Sequence, residues 1–182
     1  MAFPPDRRTG DYLLWTDTWS SLKRLGAGLG ISTALALIVG ICIGILPFFR
    51  AFFAPFVSFV SMVPPLALLP ILFISMGLGE TSKIALIVIG VAPIMIRDLA
   101  QKVLELPREQ IVKAETLSAS SWLIAWRIVL PQALPRLLGS LRLQLGPAFL
   151  FLIAAEAISA DSGLGYRIFL VRRYLSMDVI FP

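Results

Sequence analysis

The stretch that decides the fold is residues 25–49, LGAGLGISTALALIVGICIGILPFF, which contains no charged side chain. A second charge-free run follows at residues 51–79. Crossing the hydrocarbon core of a bilayer takes roughly 20 apolar residues, and both runs exceed that length. The chain of 182 residues is 58% hydrophobic and 15% charged, with a mean hydropathy of +0.87. These properties predict a membrane protein.

Two later segments predict further crossings, although each carries charge. Residues 83–100 are apolar between two basic residues whose long side chains can reach the membrane surface. Residues 137–158 contain Arg142 and Glu156, each near one end of the segment. The sequence therefore predicts an all-α membrane protein, a single polytopic helical bundle over residues 1–182, with about four spans at 25–49, 56–79, 83–100 and 137–158.

The composition excludes several functions. The chain has no histidine, which excludes histidine-based acid–base catalysis and histidine-ligated metal. The single cysteine, Cys42, has no partner for an intrachain disulfide. Basic residues are spread along the chain without interleaved aromatics, so we expect no nucleic-acid binding, and a net charge of +5 suits contact with anionic lipid. We expect no catalytic residue, no cofactor and no bound metal.

Residues 77–83, GLGETSK, superficially suggest a phosphate-binding loop. That motif requires a lysine directly before the hydroxyl residue, after a strand, whereas here Ser82 precedes Lys83 between apolar spans. We therefore expect no ATP binding at this turn.

The first span is rich in small residues, which allow helices to approach closely in lipid. They are Gly26, Gly28, Gly30, Ala34, Ala36, Gly40 and Gly44. Two interpretations stay open: packing within the chain's own bundle, or a seam between two copies.

The second span contains several prolines, which remove backbone donors and clash with the preceding turn. They are Pro55, Pro64, Pro65 and Pro70. The helix is predicted to break near Val63–Pro65. A broken helix at membrane depth needs protein or a water-filled cavity around its freed backbone groups, so this segment is a candidate for lining a pathway. The candidate pathway residues are Ser61, Met62, Pro64 and Pro65, with Glu156 of the fourth span; the alternative is a kink used only for packing.

The loop at residues 101–135 reads as two short helices. Pro107 and Glu109 suit a helix start, and residues 118–121 offer hydroxyl caps for a second helix. One apolar face comprises Ile111, Ala114 and Leu117, and a second comprises Trp122, Trp126 and Val129; Pro131 is predicted to end the second helix. Such a pair forms a knob suited to a groove on a partner, or it lies flat on the membrane surface.

Three segments carry a resemblance to a known family. They are MVPPLALLPILFISMGLGETSK (62–83), LSASSWLIAWRIVLPQALPRLLGSLRLQLG (117–146) and AEAISADSGLGYRI (155–168). The chain resembles the permease subunits of ATP-binding-cassette (ABC) importers, in particular the nitrate/sulfonate/taurine branch. Those permeases share a cytoplasmic loop with E-A-A-x-x-x-G followed nine residues later by I-x-L-P. Here the second half is present at Ile128, Leu130 and Pro131, whereas Val112, Lys113, Ala114 and Ser118 occupy the positions of the glutamate, two alanines and glycine.

The resemblance implies a non-catalytic subunit that forms the path for a small solute, such as nitrate, a sulfonate or taurine. The residues expected to couple it to an ATPase are Val112, Ala114, Leu117, Ser118, Trp122, Ile128, Leu130 and Pro131. Implied partners are cytoplasmic ATPase subunits, an extracytoplasmic solute-binding protein, a second permease copy in a homodimer, and the lipid bilayer. The implied location is the bacterial inner (plasma) membrane, crossed several times.

The resemblance also implies about six spans, where the sequence predicts four. We therefore expect this chain to lack the family's first and last helices, to place both ends outside, and not to transport alone. The principal alternative is a secondary transporter or channel without an ATPase, a class that usually places ionisable residues at the membrane midplane. An intramembrane enzyme is disfavoured because no span carries paired carboxylates.

Overall fold

The computed structural model describes residues 13–159 and 162–173, and within these residues every regular element is helical. Three helices are long and apolar enough to cross a membrane: Trp15–Ile45, Glu80–Leu104 and Ser121–Ser159. A bent pair, Pro47–Val60 with Pro65–Met76, adds a fourth crossing if it is counted as one span. The prediction of an all-α membrane bundle with about four spans is confirmed. The elements are α1 (Leu13–Ile45), α2 (Pro47–Val60), a 3-10 turn (Pro65–Leu68), α3 (Leu69–Met76), α4 (Glu80–Leu104), α5 (Arg108–Thr116), α6 (Ser121–Ile124), a π-helical turn (Ala125–Val129), α7 (Leu130–Ser159) and α8 (Leu164–Arg173).

Helix α4 is the centre of the bundle, packed against α1 on one side and α7 on the other. Large side chains of α4 such as Ile87, Met95 and Leu99 are fully buried, as is Leu152 of α7. The ion pair between Arg136 and Asp98 and the approach of Phe151 to Gly90 show that α7 runs antiparallel to α4. We call the end of the bundle that carries α5 the loop end.

Glycines on α1 set its distance from α4. A Cβ at Gly28 would lie 2.7 Å from the Ile87 side chain, one at Gly40 3.1 Å from Leu99, and one at Gly44 would overlap Val103. The residue numbers of these contacts rise together in the two helices, so α1 and α4 run parallel. The bent pair between them returns the chain across the bundle. Small residues are used here for close packing inside one chain. Gly26 and Gly30 lie on the other face of α1, where a Cβ would meet nothing within 4 Å.

The predicted break in the second span is confirmed. Helix α2 ends at Val60, and the chain bends by 84° before α3. The N–H groups of Ser61 and Met62 donate back to carbonyls of α2 at 2.9 and 3.1 Å, which closes the helix end. Pro64 and Pro65 then supply no N–H donor, so the helical ladder cannot continue through them.

The prediction that Pro131 ends a short second helix is wrong. The helix beginning at Ser121 continues without interruption to Ser159 and is 39 residues long. A π-helical turn precedes the proline, and in it the N–H of Leu130 donates to the carbonyl of Ala125, five residues back. A π turn widens the helix locally, which relieves the clash that a proline ring makes in an α-helix.

Candidate functional site

The segment between α4 and α7 presents an exposed corner at the loop end. Helix α5 begins after Pro107 and carries Glu109 in its first turn, as predicted. The side chain of Ser120 accepts a hydrogen bond from the N–H of Leu123 at 3.3 Å and caps α6, so the hydroxyl cap expected within residues 118–121 is at Ser120. A hydrogen bond of 2.9 Å from Gln132 to Gln110 ties α5 to the long helix.

Ser118 forms the corner itself. Its φ is 60°, and it is the one non-glycine residue with positive φ within the described ranges. This region is sterically unfavourable for L-residues that carry a Cβ, but not for glycine. The position where the resembling permeases carry glycine is therefore a position whose backbone conformation favours glycine.

The predicted coupling residues divide by exposure. Leu117 is 76% exposed and Trp122 71% exposed, whereas Ala114 is buried. The remaining members are exposed (Val112, Ser118, Pro131) or half-buried (Ile128, Leu130). A shallow pocket of about 340 Å³ lies between α5 and the π turn, lined by Gln110, Lys113, Ala114, Leu117, Arg127, Ile128 and Gln132. We call it the loop pocket.

The predicted second apolar face does not form one surface. Val129 is fully buried, while Trp122 and Trp126 are exposed and pack edge to face with ring centroids 5.6 Å apart. The tryptophans line an apolar crevice against Ile38 and Cys42 of α1. Amphipathic rings in such a position suit the membrane surface.

An open cavity of about 680 Å³ with a mixed polar and apolar lining lies between α4 and α7. Nη1 of Arg97 donates to Ser61 Oγ at 3.2 Å, which connects α4 to the break in the bent pair beside this cavity. Of the predicted pathway residues, Ser61 thus contacts Arg97 but does not line the cavity, Pro65 packs near Gly90, and Met62 and Pro64 are exposed. Sequence reasoning missed Arg97, Asp98, Arg136 and Gln144. A charged residue inside an apolar span was the available signal for Arg97.

Glu156 lies elsewhere, in a buried ionic cluster at the end of the bundle opposite the loop. Its side chain is fully buried and accepts hydrogen bonds from Ser21 Oγ at 2.8 Å, Arg24 Nη1 at 2.7 Å and Gly165 N at 2.9 Å. Arg24 also pairs with Glu80. We call these residues the Arg24 cluster; it joins α1, α4, α7 and α8.

A second ion pair reinforces the same end of the bundle. Asp17 accepts hydrogen bonds from Arg167 Nε at 2.7 Å and from Gly163 N at 3.0 Å. Both clusters hold the turn before α8 against α1. A Cβ at Gly163 would lie 2.6 Å from the Glu156 carboxylate, so this turn requires glycine.

Residues 27–181 match the family of binding-protein-dependent transport system inner membrane components. The chain belongs to this family. It is accordingly a multi-pass inner-membrane protein of the ABC permease type, and the resemblance drawn from its three sequence segments is confirmed.

Curated relatives agree with this assignment. The chain is 37% identical over 171 residues to the taurine transport system permease protein TauC of Escherichia coli (strain K12), covering 93% of this chain and 62% of that protein. It is 32% identical over 163 residues to the bicarbonate transport system permease protein CmpB of Synechococcus elongatus, covering 88% of this chain and 58% of that protein. The chain thus spans about three fifths of the length of these relatives.

Solved structures show the same fold. An inward-facing conformation of the MetNI methionine ABC transporter superposes with a TM-score of 0.73 at 20% identity, covering 93% of this chain and 90% of that one. A second crystal form of the same transporter gives a TM-score of 0.75 at 21% identity. At this identity the likeness shows that the two proteins share a helical fold.

Proposed function

We propose that this permease forms the path for a small solute in an ATP-driven importer, and that residues 107–131 couple it to a cytoplasmic ATPase. The observation that carries the proposal is Leu117, a large apolar side chain that is 76% exposed at the Ser118 corner beside the loop pocket. An exposed apolar anchor next to a pocket is typical of a docking surface.

The loop is also connected to the spans by a side-chain hydrogen bond and by continuous helix. Gln132 and Gln110 tie α5 to the long helix, and that helix runs without a break from Ser121 into the membrane bundle. A partner that moves α5 therefore moves a membrane helix. The partners we propose are two ATPase subunits, an extracytoplasmic solute-binding protein and a second copy of the permease.

An apolar groove supports the second copy. It lies between α1 and α7, holds about 770 Å³, and presents Gly26, Gly30 and Ala34 against leucines of α7. Small residues on an open helix face permit another helix to approach closely in lipid. Cysteines at Gly30 in two differently tagged copies should crosslink if this groove is the dimer seam.

The transported solute is proposed from the relatives. The TauC and CmpB names specify taurine and bicarbonate, and we propose a small solute of that kind for this permease. We propose that the permease is itself non-catalytic and that a separate ATPase chain hydrolyses ATP.

The test is solute-stimulated ATP hydrolysis by the permease reconstituted with the ATPase and binding protein of its own host. We expect Leu117→Arg to abolish stimulation and release the ATPase from the complex. Leu104→Arg is the matched control, since Leu104 is 43% exposed at the same end of the bundle and lies outside residues 107–131. Stimulation that survives Leu117→Arg contradicts coupling through this corner. Solute uptake without any ATPase would instead support the secondary transporter.

A further inference from the structure

The charged lining of the loop pocket has a single sign. Lys113 of α5 and Arg127 of the π turn both line the pocket, and none of its described lining residues is acidic. Both side chains are exposed, and neither forms an ion pair among the described residues. Glu109 and Glu115, the nearest acidic residues along α5, lie outside the pocket lining. The loop pocket therefore carries two positive charges that no described carboxylate neutralises.

The remaining polar lining adds further N–H donors. Gln132 Nε2 donates to Gln110 Oε1 at 2.9 Å, so the Gln110 oxygen is occupied while its own amide N–H groups stay available. A lysine supplies three N–H donors and an arginine five. Donors thus outnumber acceptors in this pocket, and several converging N–H donors with positive charge are the chemistry that binds a carboxylate.

The rest of the pocket lining is apolar and includes the exposed Leu117. A partner that covers Leu117 also covers Lys113 and Arg127, because the three side chains line the same small pocket. Covering a cation removes it from water, and that cost is offset only if an opposite charge meets it. The partner surface that fits here therefore presents an acidic side chain beside an apolar one.

The departure of this loop from the family pattern has the same sign. Val112 stands where the resembling permeases carry a glutamate, and Lys113 stands where they carry an alanine. The loop has thus lost a negative charge and gained a positive one at adjacent positions. Since like charges that face each other across an interface are costly, a partner that places a cation opposite the glutamate would be repelled here.

We propose that the loop pocket accepts an acidic side chain of the ATPase, with Lys113 and Arg127 contacting its carboxylate and Leu117 packing against an apolar residue beside it. The inference rests on the proposed coupling to an ATPase and adds the chemistry of the segment that docks. Lys113 and Arg127 determine which ATPase this permease accepts, because a partner with a neutral or basic residue there leaves both cations unpaired.

The first measurement is the dissociation constant between the permease in phosphatidylcholine nanodiscs and the ATPase of its own host. Reversing both charges, with Lys113→Glu and Arg127→Glu, should weaken binding at least about thirtyfold, because the carboxylate then faces like charges. Lys102→Glu is the matched control, since Lys102 lies at the same end of the bundle, pairs with Glu105 and is outside the loop pocket. It should change the dissociation constant less than about fivefold. A double reversal that weakens binding no more than the control overturns the proposal.

Carbodiimide crosslinking identifies the group on the partner. The reagent joins a lysine amine to a carboxylate in contact with it as an amide, so mass spectrometry should find Lys113 joined to an aspartate or glutamate of the ATPase. Lys113→Arg is the control, because a guanidinium keeps the positive charge but does not form this amide. Replacing the crosslinked carboxylate by lysine should restore binding to the double reversal. An intact complex in which Lys113 joins no ATPase carboxylate overturns the proposal.

Failure of the acidic contact is distinct from failure of ATPase coupling. If Leu117→Arg releases the ATPase and the double reversal does not, the loop couples to the ATPase and the acidic contact is wrong. If the double reversal weakens binding only in nanodiscs that contain phosphatidylglycerol, the two cations contact anionic lipid instead, which also overturns the proposal. If the unaltered permease does not bind the ATPase, the proposed function fails and this inference fails with it.

Discussion

Arg24 Nη1 lies 2.7 Å from a carboxylate oxygen of Glu156, although 132 residues separate the two in sequence. Both side chains are buried, at 6% and 0% exposure. The pair joins the first described helix to the last turns of α7, at the end of the bundle away from the loop. A buried carboxylate held by a guanidinium, a hydroxyl and a backbone N–H is satisfied only in this one arrangement of helices.

Glu156→Ala should destabilise the bundle by about 3 kcal/mol, because it leaves the buried Arg24 without its buried counter-charge. The measurement is the free energy of unfolding in detergent micelles. Arg136→Gln is the matched control, since the pair of Arg136 with Asp98 is exposed and its loss should cost much less. Equal losses in the two variants would contradict the structural role of the buried pair.

Gly44→Ala should destabilise the bundle by about 1–3 kcal/mol, because the added methyl overlaps Val103 and α1 must move away from α4. Gly26→Ala should be neutral or stabilising by about 0.5 kcal/mol, since its Cβ meets nothing within 4 Å. Thermal unfolding of the two variants gives the comparison. Val103→Ala combined with Gly44→Ala should recover part of the lost stability. If the double variant recovers none, the loss does not come from the contact between residue 44 and Val103.

Ser118→Gly should stabilise the loop by about 0.5–1 kcal/mol, because glycine adopts a φ of 60° without the steric cost that serine pays. Hydrogen exchange of the amides around residues 114–124 is the appropriate measurement, and their protection should increase. Ser118→Ala is the control, since alanine keeps the Cβ and should not increase protection. A gain with alanine would assign the effect to the lost hydroxyl.

Spin labels at Phe48 and Ile74 should report the bend in the second span. Both side chains are more than 85% exposed, at 89% and 87%. An unbroken helix would separate these positions by about 39 Å, whereas a bend of 84° near the middle brings them to about 29 Å. Labels at Gln132 and Ile158 have the same sequence separation within the long helix and should give the full 39 Å. Equal distances in the two pairs would contradict the break.

Local features of this fold followed from the sequence. Charge-free runs predicted the spans, the paired prolines at 64 and 65 predicted the break, and residues 118–121 predicted a helix cap. Each of these is decided within a few residues of chain, by hydrocarbon thickness, by a missing N–H or by a nearby hydroxyl.

The features that escaped prediction depend on distant residues. Nothing near Glu156 in sequence indicates Arg24 as its partner, and Arg97 gains its setting from the break at Ser61, 36 residues earlier. The prediction of a helix end at Pro131 was wrong because a proline usually ends or kinks a helix. Here the π turn before it allows the helix to continue.

The uninterrupted helix from Ser121 to Ser159 joins the loop directly to the opposite end of the bundle. Its 39 residues measure about 58 Å, with the Ser118 corner at one tip and the Glu156 carboxylate near the other. A tilt of about 5° pivoted at the corner displaces the far tip by about 5 Å, the length of one helical turn. Such a displacement exceeds the 2.7 Å length of the hydrogen bond between Arg24 and Glu156, so we expect any rigid tilt of this helix to break the Arg24 cluster.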